Sequence, residues 1–202
     1  MNKEDLKGLF MSVVNRALPE EEWQLIEDYY TEPHRRYHTL QHLSEMFGLL
    51  KEYYKEELPL TTVLAVFYHD LIYSALRSDN EKQSAQIAKE KLTNWNQAAD
   101  VINKVEELIL LTANHAAVSD EEAAVFLDAD MAILGSNFEQ YEQYRKGVRE
   151  EFSIYPDFIY NRGRKQFLQK TILQPRIYQS DFFNSRFEAQ ARSNIQNEIN
   201  QL

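Results

Sequence analysis

The chain has 202 residues, enough for one domain with a sizeable core. Hydrophobic residues make up 44% and charged residues 27%, the balance of a globular protein in water. A formal charge of −10 argues against general affinity for nucleic-acid polymers. Cysteine is absent, which excludes disulfides, thiolate catalysis and cysteine-held zinc or iron–sulfur centres. Any metal must be held by nitrogen and oxygen.

With only 5 Gly and 5 Pro, the sequence predicts long helices rather than a loop-rich β architecture. Leu6, Leu9, Phe10, Val13, Val14 and Ala17 predict an amphipathic helix over 3–17. Pro19 and three glutamates open a second, which carries Trp23, Ile26 and Tyr30 and stops at Pro33. A third is expected from near Tyr37, with His38, His42, Met46, Phe47, Leu50 and Tyr54. Pro59 opens a fourth, apolar almost continuously from Leu60 to Ile72 and therefore interior, with His69 and Asp70 in its last turns. Further helices are expected after the Ser78–Glu81 cap, over 97–113, and from Ser119 into Leu127. A short buried helix over Asp128–Leu134, ended by Gly135, follows, and then helices over 138–152, 156–173 and 183–199. The expected architecture is one all-α domain over 1–202. The charged start and the lack of any apolar run near ~20 residues predict a cytoplasmic protein without a membrane partner.

All five histidines fall between residues 34 and 115. On a helix His38 and His42, four apart, would share one face. His69-Asp70 follows the apolar run Leu64-Ala-Val-Phe-Tyr, and Asp130 sits between Ala129 and Met131. A buried carboxylate needs a cationic partner: an Arg, a Lys or a metal ion. The ordered set His…His-Asp…Asp, on three apolar stretches, predicts a divalent metal site.

Tyr37-His38…His42, Phe67-Tyr68-His69-Asp70 and Asp128-Ala129-Asp130 together resemble the HD superfamily of metal-dependent phosphohydrolases. The resemblance extends to a family of small predicted HD-domain hydrolases through Glu32-Pro33-His34-Arg35-Arg36-Tyr37-His38, Asp79-Asn80-Glu81 with Ser84-Ala85, Thr112-Ala113-Asn114-His115 and Leu127 to Gly135. It runs from about Leu18 to Tyr178. It implies a compact helical HD domain with flanking N- and C-terminal helices, and the metal ligands His42, His69, Asp70 and Asp130. Asp128 would orient a ligand or cap the helix. His38 takes the position of the general acid in cyclic nucleotide phosphodiesterases, which share the Tyr-His…His element.

Two imidazoles and two carboxylates suit one divalent ion, Mn²⁺, Mg²⁺, Fe²⁺ or Co²⁺, with Zn²⁺ and Ni²⁺ as alternatives. Such an ion activates water for attack on a phosphorus centre, and His38 protonates the departing oxygen. Arg35 or Arg36 could clamp the phosphate; His115 is a candidate for substrate contact, and Glu81 for positioning the attacking water. The expected partner is a small phosphorylated substrate such as a nucleotide. A di-iron oxygenase and a non-catalytic ligand-binding module are the alternative functions. The segment from Tyr178 to Phe187, with Phe182 and Phe183, could cover the core or form a homodimer contact.

Overall fold

Proline and short polar side chains set most helix boundaries of this chain. In the computed structural model, which describes residues 1–14, 19–55 and 57–202, every regular element is helical and no strand occurs among the described residues. Two compact units are formed, residues 1–116 and 117–202. No described helix is long and apolar enough to cross a membrane.

The first unit contains α1 (Lys3–Val13), α2 (Pro19–Tyr30), α3 (Leu40–Tyr54), α4 (Leu60–Tyr68), α5 (Asn80–Asn94) and α6 (Ala99–Leu111). The expected first helix beyond Val14 falls on residues 15–17, outside the described ones. As its composition predicted, α4 is buried on all sides from Thr62 to Tyr68. Phe67 explains how: its ring lies 4.9 Å from Phe10 of α1, 5.0 Å from Phe47 of α3 and 6.4 Å from Trp23 of α2. Aromatic edges from three helices thus meet on one residue of the fourth. α6 packs against both α4 and α5.

Two boundaries in this unit differ from expectation, and both matter for function. α3 begins at Leu40, because the Thr39 hydroxyl accepts from the Gln41 amide as an N-cap. His38 therefore precedes the helix and does not share a helical face with His42. α4 ends at Tyr68 rather than running to Ile72. The Leu71 amide bonds the Tyr68 carbonyl in a tight turn, and the carbonyls of Asp70 and Leu71 accept from Arg35 instead of from a continuing helix.

The second unit contains α7 (Glu121–Met131), a 3-10 turn (Ala132–Gly135), α8 (Phe138–Glu151), α9 (Asp157–Ile172) and α10 (Asp181–Gln201). Asp120 caps α7, Asn137 caps α8 and Ser180 caps α10, each through a side-chain oxygen on a first-turn amide. The break expected at Asp128 is absent. The Asp128 carboxylate accepts from Gln179 and Ser180, so it does not compete with its own helix. α10 packs on the 3-10 turn, on α7 and on α9. Asn194 donates to the carbonyls of Leu134 and Ser136. At Gly135 an added Cβ would stand 2.6 Å from Phe187 Cβ and from the Phe187 carbonyl oxygen, so this glycine is required by close approach. Tyr178 and Phe183 are fully buried, which places that segment in the core of this unit.

Candidate metal centre

His69 and Asp70 form the turn that closes α4, and the turn aims both side chains the same way. His69 is 1% exposed. Its Nδ1 lies 2.9 Å from the Val66 carbonyl. A carbonyl only accepts, so Nδ1 carries a proton and Nε2 is the ring nitrogen turned toward His42 and Asp70. That Nε2 stands 3.1 Å from Asp70 Oδ2.

His42 comes from the first turn of α3 and is 2% exposed. Its Nε2 lies 3.2 Å from His69 Nε2 and 3.9 Å from Asp70 Oδ2. Two nitrogens and one carboxylate oxygen therefore bound a small triangle. From the three separations, the point equidistant from the atoms lies about 2.0 Å from each, the bond length of a small divalent cation to imidazole nitrogen and carboxylate oxygen. The donor set, its spacing and its burial fit a metal ion.

His38 flanks this group. Its Nε2 is 4.0 Å from Asp70 Oδ2, and its side chain is 20% exposed, so it reaches both the carboxylate and the surface. Its ring stacks on Tyr73 with centroids 4.1 Å apart and 27° between planes, and meets Tyr37 edge-on at 4.9 Å. Neither tyrosine was singled out as a site residue by sequence patterning, although Tyr37 belongs to the Tyr-His element.

Arg35 is placed differently from a phosphate clamp. Its guanidinium is buried. Nε donates to Glu32 at 3.0 Å, Nη1 to the carbonyls of His38 at 3.2 Å and Asp70 at 2.7 Å, and Nη2 to the Leu71 carbonyl at 2.7 Å. Arg36 is exposed and donates to the Pro33 and Arg35 carbonyls through Nη1. His34, also exposed, bonds the Tyr73 carbonyl through Nε2 at 2.8 Å.

The Asp79–Ala85 stretch supports the loop after Asp70. Asn80 pairs with both the amide and the carbonyl of Ser74, and the Ser84 hydroxyl accepts from the Ile72 amide. Glu81 is half-buried in the first turn of α5, on the same stretch. His115, half-buried, follows α6 with φ 48°, a left-handed conformation in which its amide bonds the Leu111 carbonyl.

The remaining two carboxylates belong to the second unit. Asp128 is 2% exposed and accepts from the amides of Gln179 and Ser180, both at 2.7 Å. Burial raises its pKa above the usual carboxylate range, and those amide bonds hold it back. It clasps the start of α10, the helix-capping role that the resemblance allowed, here on a different helix. Asp130 lies half-buried in the last turn of α7, close enough to Tyr144 to oppose ionisation of that phenol. Arg149 is tied to Asp157 and to the carbonyls of Phe152 and Tyr155.

Comparison of the chain with protein-family models, with curated proteins and with solved structures found no match.

Proposed function

We propose that the protein is a metal-dependent phosphohydrolase of the HD type that acts on a small phosphate ester, with nucleotides as the first class to test. The observation that carries this reading is the convergence of His42 Nε2, His69 Nε2 and Asp70 Oδ2 around one point at metal-bond distance. In this reading His42 and His69 hold one divalent cation through their Nε2 atoms and Asp70 through Oδ2, and Asp130 is taken from the resemblance as the fourth ligand. When bound, the cation lowers the pKa of water and polarises a phosphoryl oxygen. His38, beside the carboxylate yet open to the surface, holds the proton that the departing oxygen needs, and the Tyr73 stack fixes its ring. Arg36, His115 and Glu81 serve on the substrate side.

The test is elemental analysis of the purified protein joined to a phosphate-release screen over nucleotides and sugar phosphates with Mn²⁺, Mg²⁺, Fe²⁺, Co²⁺, Ni²⁺ and Zn²⁺. Metal-dependent release that disappears in His69→Ala is the expected result. Tight metal binding without turnover across the whole panel would remove the hydrolase reading and leave a ligand-binding module.

A further inference from the structure

We infer that Arg35 is a positioning residue that sets the separation of His38 from Asp70. The inference rests on the metal-site reading above but concerns a residue outside the ligand set. One atom makes the argument: Nη1 donates to the main-chain carbonyls of both His38 and Asp70, residues 32 apart in sequence. The same guanidinium holds the Leu71 carbonyl through Nη2 and Glu32 through Nε, and it lies over the rings of Tyr30 at 5.0 Å and Tyr73 at 5.5 Å. Tyr73 is also the ring on which His38 stacks. A single buried cation thus joins the end of α2, the loop carrying His38, the turn carrying His69 and Asp70, and the platform under the His38 ring.

Neither loop has regular structure to hold it. The segment from Thr31 to Thr39 lies between helices, and the turn after Tyr68 has left α4. Their relative placement depends on groups that bridge them, and Arg35 supplies two such bonds, to the carbonyls of Asp70 and Leu71, while it also holds the His38 carbonyl on its own segment. A lysine ammonium carries the charge but lacks the planar fork that aims donors at Glu32 and at three carbonyls together. Groups that orient metal ligands without touching the metal change affinity by about ten- to a hundred-fold when removed.

The experiment compares the wild-type chain with Arg35→Lys and Arg35→Met, read in three ways. Mn²⁺ titration of the metal-free protein is expected to show affinity reduced about ten- to a hundred-fold in both variants. Inorganic phosphate binding to the fully Mn²⁺-loaded proteins is expected to stay within about two-fold. In the metal-free proteins, the imidazole nitrogen signals of His38 and His69 are expected to move while those of His115 stay in place. Unchanged Mn²⁺ affinity with weakened phosphate binding would overturn the inference and make Arg35 a substrate clamp. Unmoved His38 and His69 signals would also overturn it. A wild-type protein that binds no metal ends the metal reading separately, because the imidazole signals still decide the role of Arg35. If neither Arg35 variant folds, Glu32→Gln, which weakens the ion pair holding the guanidinium without touching either imidazole, carries the same expectation for the His38 and His69 signals, and unmoved signals overturn the inference.

Discussion

Each unit buries a polar cluster, and the two clusters are built on opposite principles. In the second unit Glu198 of α10 receives Arg164 of α9 at 2.9 and 3.1 Å and the Tyr141 hydroxyl at 2.5 Å, while Arg164 also donates to Tyr144 at 2.9 Å. Donor meets acceptor at every contact, and the charges cancel within the cluster. In the first unit, two imidazole nitrogens and a carboxylate oxygen, all capable of accepting, face one another at 3.1 to 3.9 Å. A cluster whose charges and donors balance holds the fold by itself; one that sets two imidazole nitrogens and a carboxylate oxygen together could hold a cation. Burial alone does not separate them, since Glu198 and His42 are both 2% exposed.

Asp70→Ala is expected to abolish metal-dependent phosphate release, yet to change the stability of the metal-free protein by less than about 1 kcal/mol in urea unfolding, because the Asp70 main-chain carbonyl still meets Arg35. The second cluster should behave in the reverse manner. Glu198→Ala strands Arg164 in the interior and is expected to cost about 3–5 kcal/mol in the same assay. If the two substitutions gave equal stability losses, the distinction between site and scaffold would fail.

A smaller effect tests the packing around the second cluster. Gly135→Ala forces α10 away from the 3-10 turn at Phe187 and is expected to lose about 1–3 kcal/mol by thermal or urea unfolding. The smallest effect is in alkali. Burial raises Tyr141, Tyr144 and Tyr178 above the ordinary phenol range and pushes Tyr160 up to about 12. A phenol whose folded pKa lies above its unfolded value stabilises fully below the unfolded value, near 10. That stability is lost as pH rises through the folded value. Unfolding midpoints should therefore fall from about pH 10 through 12, in step with tyrosinate absorbance, and Tyr160→Phe should flatten the slope. In the first unit Tyr68 shows the same direction from burial.

Helix content and the apolar α4 were legible because they depend on periodicity and on caps within a few residues of the boundary. His42 and His69 were legible as side chains that could hold a metal, because an imidazole carries its own ligand chemistry. What the sequence hid were bonds between distant segments. Arg35 reads as a phosphate clamp until Asp70 and Leu71, 35 and 36 residues away, take its donors. Asp128 was expected to orient a ligand or cap a helix, but the amides that occupy it come from 51 and 52 residues further on. His38 and His42 have helical spacing, and only the Thr39 cap separates them into loop and helix. No local pattern encodes these outcomes, because each depends on which main-chain groups the fold leaves without a helical partner.

The backbone of His115 is left-handed, with φ 48°. Glycine would satisfy that torsion with less strain, so the imidazole at this position is tolerated by the main chain rather than requested by it. His115→Gly and His115→Ala therefore separate two questions that a single deletion would merge: glycine removes the ring and relaxes the turn, whereas alanine removes the ring and keeps the strain.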